Sequence, residues 1–129
     1  MNYETTLSEI SKLTERFTRS IPDTEQYQSR LAEEVDLIVE HRFVKHFVRV
    51  WEILRLTEDF PHITRGSAGC SLVCYLMGIS DVDPVEEKIP LARFINPKRD
   101  DLPDIDLDFP HWAQAVSYTH LRAHETVVY

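Results

Sequence analysis

Three aspartates alternate with apolar residues in the stretch Pro103–Pro110, which reads PDIDLDFP. Alternation of this kind between two prolines predicts a β-strand. Because alternate side chains of a strand share a face, Asp104, Asp106 and Asp108 are expected to point the same way. Three carboxylates on one face repel each other unless cations neutralise them. The pattern therefore indicates either a solvated edge strand or a site for two divalent metal ions, which prefer oxygen ligands.

A second candidate is the small-residue segment Arg65–Ser71, called here the Gly-Ser turn, which reads RGSAGCS. Its residues have little bulk, so backbone N–H groups can approach an anion closely. The apolar run Leu72–Met77 that follows, closed by Gly78, predicts a helix whose free N–H groups and dipole favour phosphate. Taken alone, the turn is equally compatible with a plain capped helix. Beside a strand of aspartates it predicts a phosphate cradle next to a metal platform, as nucleotidyl transfer requires.

Three amphipathic helices are predicted to precede these two segments, because apolar residues recur there at steps of three and four. Asp23 or Thr24 is expected to cap the second helix. On that helix Glu33, Glu34 and Glu40 are expected in solvent. The apolar positions, which we assign to core packing, are Leu7, Ile10, Leu13 and Phe17, then Leu31, Val35 and Ile38, then Phe43, Phe47, Val50, Trp51 and Leu54.

Composition and charge limit the possible functions. The chain has 129 residues, 43% of them hydrophobic, and a net charge of −8, which predicts a globular domain with little grip on nucleic acid by itself. Nine acidic and four basic residues lie between Asp81 and Asp108, a balance that suits divalent cations.

No apolar run is long enough for a membrane span, which predicts a cytoplasmic protein with no membrane partner. Cys70 and Cys74 are expected to be reduced, small apolar residues.

Three ordered motifs give the chain a family resemblance. The segments RGSAGCSLVCYLMGISDVDP, RFINPKR and PDIDLDF resemble, in order and spacing, the palm of the C-family of bacterial DNA polymerases, which includes the DNA polymerase III alpha subunit and its error-prone relatives. The upstream segment YQSRLAEEVDLI is similar to the helix before that palm, so the resemblance covers roughly residues 27–110. It implies an α+β fold, with a helical part followed by a nucleotidyltransferase-type, polymerase-beta-like palm.

The resemblance also implies roles for single residues. Asp104 and Asp106 would be the catalytic carboxylates holding two Mg²⁺ ions, for which Mn²⁺ could substitute, whereas Asp108 is not counted as catalytic in the family. The implied partners are primer–template DNA, deoxynucleoside triphosphates and the other subunits of a polymerase holoenzyme. The residues implied to lie at the incoming triphosphate are Gly66, Ser67, Arg93 and Arg99, the two last also near the template. Arg65 is added to this set because it places positive charge at the Gly-Ser turn.

The same comparison predicts how the chain is divided. Residues 1–60 are expected to be a helical segment, and residues 61–114 a partial palm. Residues 115–129 resemble a translated sequencing adapter. The third carboxylate of the family lies in sequence this chain lacks, so we expect no polymerisation by this polypeptide alone.

Departures from the family leave alternatives open. Gly69-Cys70-Ser71 stands where the family commonly has Ala-Gly-Ser, and Thr64 stands where replicative members usually have glycine, which indicates a divergent branch. The alternative functions are another nucleotidyltransferase with the same palm, or a non-catalytic interaction module acting through the three helices.

Overall fold

The computed structural model describes residues 2–57, 63–95, 98, 103 and 105–108 of the chain. Four α-helices and two very short strands are found in these ranges, together with two 3-10 helices, Gly66–Cys70 and Leu91–Arg93. The elements in chain order are α1 (Tyr3–Thr14), α2 (Glu25–Glu40), α3 (Val44–Leu56), β1 (Ile63–Arg65), α4 (Leu72–Leu76) and β2 (Asp106–Asp108).

The three predicted N-terminal helices are confirmed, and local capping explains where two of them begin. The side chain of Asn2 accepts a hydrogen bond from the Thr5 N–H at 2.8 Å and so caps α1. Thr24, one of the two predicted caps of α2, accepts from the Tyr27 N–H at 3.5 Å. Helix α3 begins after Phe43 with no side-chain cap, so its start depends on packing of its apolar face.

The apolar stripes of α1, α2 and α3 form one core with the segments that carry the candidate site. Phe47 is fully buried at its centre, and its ring meets that of Phe94 edge-on at 6.0 Å between centroids. Ala68 of the Gly-Ser turn and Ile105 before β2 belong to the same cluster. The helices therefore act as the support on which both candidate segments are held.

The α+β class expected from the family resemblance is wrong for the described residues, which form a helical fold. Their only extended pairing is the antiparallel ladder of β1 and β2, three residues against three, and no palm sheet is present for a helix to pack on. The physical reason lies in the sequence pattern. Alternation is confined to a few residues between prolines, and aspartate is a poor strand former, whereas helical spacing extends over most of the N-terminal half.

Helices α2 and α4 end with the same C-terminal capping pattern, in which one residue adopts a left-handed backbone conformation. That residue differs between the two helices. After α4, Gly78 has a φ of +78°, and the Ile79 N–H donates to the Cys74 carbonyl at 2.9 Å. After α2, Arg42 has a φ of +61°, and the Phe43 N–H donates to the Ile38 carbonyl at 2.9 Å. Only glycine takes this conformation without strain.

Opposite substitutions at these two caps should have opposite effects on stability. We expect Gly78→Ala to lower the free energy of unfolding by about 1 kcal/mol, since alanine is strained at positive φ. Arg42→Gly should raise it by a few tenths to about 1 kcal/mol, because it removes that strain. Urea unfolding followed by circular dichroism measures both changes, and equal signs would contradict the assignment of strain to these positions.

The C-terminal end of the short helix α4 is also held by the segment that follows α1. The Thr18 N–H donates to the Leu76 carbonyl at 2.7 Å. The Arg19 guanidinium donates to the Ser80 carbonyl at 2.8 Å and lies over the Tyr75 ring, 4.3 Å from its centroid. These contacts fix the end of α4 that lies away from the Gly-Ser turn.

Candidate nucleotide and metal site

The β1–β2 ladder brings the two sequence-predicted halves of the site together. Arg65, the last residue of β1, pairs with Asp106, the first residue of β2. Gly66 follows Arg65 directly and begins the 3-10 helix of the Gly-Ser turn. Paired residues in an antiparallel ladder have Cα atoms about 4.5–5.5 Å apart. The backbone of the predicted triphosphate-binding turn therefore starts beside a predicted metal-binding aspartate.

The structure describes only some of the other predicted site residues. Asp104 and Arg99 lie outside the described residues, as do the side chains of Asp106 and of Arg65 to Ser67. Arg93 is exposed at the end of its 3-10 helix, which contacts the 3-10 helix of the Gly-Ser turn. Whether these residues bind a triphosphate stays a prediction.

The residue types of β2 suit a hard divalent cation, because carboxylate oxygens are the donors that Mg²⁺ and Mn²⁺ prefer. Asp106 and Asp108 both belong to the strand. Within the described ranges no group of three or more histidine, cysteine, aspartate or glutamate side chains is placed to hold a metal ion. The second predicted ligand, Asp104, lies outside those ranges, so the metal pair also stays a prediction.

The N-terminus of α4 is not free to bind phosphate, contrary to the sequence-based expectation. The Glu34 carboxylate accepts from the Leu72 N–H at 2.6 Å and from the Val73 N–H at 3.1 Å. The Ser71 hydroxyl donates to Glu34 at 2.8 Å and accepts from the Cys74 N–H at 3.0 Å. Any backbone N–H groups offered to an anion must therefore come from the turn itself, upstream of Ser71.

Glu34 was expected in solvent, and that prediction is wrong. The residue is fully buried, and its burial raises the pKa of its carboxyl above the ordinary value. The N–H and O–H donors at the start of α4, and then the Arg30 guanidinium, act in the opposite direction on that pKa. A signal in the sequence was available: Glu34 lies three residues after Leu31 and four before Ile38, on the apolar face of α2.

Arg30 connects this buried carboxylate to the Gly-Ser turn. Its Nε donates to Glu34 at 2.9 Å, and its Nη2 donates to the carbonyl of Cys70 at 2.5 Å. Cys70 and Cys74 are both unbridged and buried, as suits small apolar residues, and their reduced state stays a prediction. Burial raises the pKa of the Cys70 thiol, against the nearby positive charges of Arg93 and Arg30. Sequence reasoning assigned no role to Arg30, although its spacing of four from Glu34 is that of a helical ion pair.

The approach to β2 is held by α3 and by the core. The His46 Nε2 lies 3.0 Å from the carbonyl of Pro103, a separation at which the ring N–H donates to that oxygen. Pro103 and Ile105 are both buried. These contacts fix the backbone on either side of residue 104, so the ladder with β1 is anchored from the helical layer.

The family described as the bacterial DNA polymerase III alpha NTPase domain matches residues 6–123. The chain therefore belongs to that family. It is 42% identical over 92 residues, 69% of this chain, to the DNA polymerase III subunit alpha of Bacillus subtilis. It is 42% identical over 90 residues to the same subunit of Halalkalibacterium halodurans, and 40% identical over 89 residues to that of Streptococcus pyogenes.

The chain spans only about 8% of the length of the Bacillus and Halalkalibacterium relatives, and about 9% of the Streptococcus relative. The matched range begins well before the resemblance noted in the sequence, at residue 6, and it extends to residue 123. The proposed division at residues 60 and 114, and the adapter-like origin of residues 115–129, stay predictions. Among the helices described here, none is long and apolar enough to cross a membrane.

Proposed function

We propose that this chain is the triphosphate-binding part of a DNA-directed DNA polymerase. The observation that carries the proposal is the ladder register, which sets Arg65 opposite Asp106 with the Gly-Ser turn following at once. A turn of small residues beside paired carboxylates is suited to hold a triphosphate and its counter-ions. Primer–template DNA, deoxynucleoside triphosphates and the other holoenzyme subunits are the partners of the intact polymerase.

Each proposed residue has a chemical task. The backbone N–H groups of the turn hydrogen-bond the phosphate oxygens, and the arginines neutralise phosphate charge. Asp104 and Asp106 hold Mg²⁺, which when bound lowers the pKa of an attacking hydroxyl and stabilises the leaving phosphate oxygens. The residues assigned to the triphosphate are Arg65, Gly66, Ser67, Arg93 and Arg99.

Triphosphate binding without polymerisation is the expected behaviour of the isolated chain. A net charge of −8 opposes tight binding of primer–template DNA, since phosphate contacts need lysine and arginine. We expect no primer extension by the purified chain in a gel assay with Mg²⁺ and all four deoxynucleoside triphosphates. Extension that disappears in Asp106→Ala would contradict this prediction.

Paramagnetic broadening by Mn²⁺ tests the metal site directly. In the ¹⁵N-labelled chain, Mn²⁺ should broaden the amide signals of Arg65 and Gly66, because Arg65 pairs with Asp106. Asp104→Ala and Asp106→Ala should each weaken this binding by at least about tenfold, the loss typical even of groups that only support a metal ligand.

Asp108→Ala is the matched control, because it removes a carboxylate from the same strand. It should change Mn²⁺ binding by less than about threefold if only the first two aspartates are ligands. Unchanged broadening in Asp104→Ala and Asp106→Ala would overturn the proposed metal site. An equal loss in all three variants would instead indicate that Asp104, Asp106 and Asp108 are equivalent metal ligands, as their alternation in the sequence allows.

A further inference from the structure

The Arg30–Glu34 pair of α2 joins two different parts of the chain around the Gly-Ser turn. Glu34 accepts from the hydroxyl of Ser71 and from two backbone N–H groups at the start of α4. Arg30 donates both to Glu34 and to the Cys70 carbonyl at the end of the 3-10 helix. One side-chain pair thus holds the downstream end of the turn and the helix that follows it.

Stability alone does not require an ion pair at this position. The side chain of Glu34 is fully buried and that of Arg30 is 15% exposed. Burying two charges has a large desolvation cost, and well-packed apolar residues of the same volume are often as stable or more so. An apolar pair, however, cannot hydrogen-bond to a carbonyl of the turn and to the N–H groups of α4 at the same time. The distinctive property of the pair is therefore the geometry it imposes.

The upstream end of the turn is fixed by another element. Arg65 is held in the ladder opposite Asp106, and the 3-10 helix runs from Gly66 to Cys70. With Ala68 fully buried in the core, the turn has three points of attachment within six residues. The downstream attachment is the one made by polar side chains, and it holds the backbone of the turn at the Cys70 carbonyl and at Ser71.

We propose that Arg30 and Glu34 are positioning residues that fix the backbone of the Gly-Ser turn for binding a nucleoside triphosphate. The inference rests on the proposed function of the turn and adds to it two residues that touch no ligand. Small displacements of binding groups have large effects on interactions with a bound substrate. Loosening the Cys70 end is therefore expected to weaken triphosphate binding even in a chain that remains folded.

The test measures binding of dATP with Mg²⁺ to the full chain by isothermal titration calorimetry, at a temperature where every variant is folded. Arg30→Met and Glu34→Gln should each raise the dissociation constant by at least about tenfold. Arg30→Lys keeps the positive charge but not the planar fork that donates in two directions, so it should give an intermediate loss. If Glu34→Gln does not fold, the Arg30→Lys variant still tests whether the pair positions the turn.

Val50→Ala is the control for lost stability, because it removes buried volume from α3 but no side-chain hydrogen bond to the turn. Its dissociation constant should stay within about twofold of that of the unmodified chain. Amide hydrogen exchange of Gly66–Cys70 should become faster in Arg30→Met but not in Val50→Ala. Equal binding by the unmodified chain, Arg30→Met and Arg30→Lys would overturn the positioning role alone, whereas an unmodified chain that binds no triphosphate would overturn the proposed function as well.

Discussion

Replacing Phe47 with alanine is expected to lower the free energy of unfolding by about 3–5 kcal/mol. The side chain is fully buried in α3, and its ring packs edge-on against Phe94 with an interplanar angle of 90°. Truncation removes the apolar contacts and leaves a cavity that the surrounding helices fill only in part. Since small domains are stable by about 5–15 kcal/mol in total, this loss is a large fraction of the whole.

The consequence should extend to the candidate site. Phe94 follows the 3-10 helix Leu91–Arg93, which contacts the Gly-Ser turn, and the core joins both to α3. Urea unfolding followed by circular dichroism gives the stability change. Amide hydrogen exchange of the turn would show whether the site loosens before the helices unfold.

Tyr3→Ala is the control for this truncation. It also removes an aromatic ring, but from a side chain that is 77% exposed at the start of α1. We expect a change within about 0.5 kcal/mol, as for most surface substitutions. Similar losses for Phe47→Ala and Tyr3→Ala would mean that Phe47 is not the centre of the core.

The helices were predictable because their information is local. Leu31, Val35 and Ile38 repeat at the spacing of one helix face, and Thr24 is a residue type that caps helices. The end of α4 was also predictable, because Gly78 follows its last apolar residues and glycine favours a left-handed backbone conformation. Each of these features depends on a few neighbouring residues, so a single sequence contains the necessary signal.

The fold class was not predictable in the same way. A short alternating stretch such as Asp106–Asp108 indicates an extended backbone, but the number of strands that pair with it depends on distant segments. The family resemblance supplied a palm sheet, whereas the described residues contain only one three-residue ladder. Local pattern thus gave the conformation of the strand and could not give the layer it belongs to.

The supporting contacts of the site were missed for a related reason. Glu34 was assigned to solvent by its residue type, since glutamate is seldom buried without partners. Its partners are Ser71 and the N–H groups of α4, which lie nearly forty positions away in the sequence. Two local signs were available: the position of Glu34 on the apolar face of α2, and Arg30 four residues before it.

Removing the positive charge of Arg30 beside the buried Glu34 is also expected to lower the free energy of unfolding strongly. Arg30→Met removes a cation that lowers the pKa of this buried carboxyl, while leaving its N–H and O–H donors in place. Removing one partner of a buried pair leaves an uncompensated charge, and such changes typically cost about 3–5 kcal/mol. Because Arg30 keeps some exposure, we expect a loss of about 3 kcal/mol at neutral pH.

The sign of the pH dependence follows from the direction of the pKa shift. Burial raises the pKa of Glu34, so the folded chain binds this proton more tightly than the unfolded chain does. The ionised carboxylate therefore opposes folding increasingly as pH rises above the ordinary glutamate value and through the raised one. Arg30 offsets part of this cost only where Glu34 is ionised. The destabilisation by Arg30→Met should thus be small near pH 4, close to the ordinary glutamate value, and larger at pH 7.5.

Lys12→Met is the control, because it also removes the cation of an ion pair, but from a pair at the protein surface. Lys12 pairs with Glu9 at 2.7 Å on the surface of α1, and its side chain is 53% exposed. Solvent screens such a pair, so its loss should change stability by less than about 0.5 kcal/mol at both pH values. Urea unfolding of the Arg30→Met and Lys12→Met variants at pH 4 and at pH 7.5 measures the difference.

If Arg30→Met lowers stability as much at pH 4 as at pH 7.5, the contribution of Arg30 comes from packing and from the Cys70 hydrogen bond. The buried carboxylate would then need no cation to stay ionised, because the donors at the start of α4 would suffice.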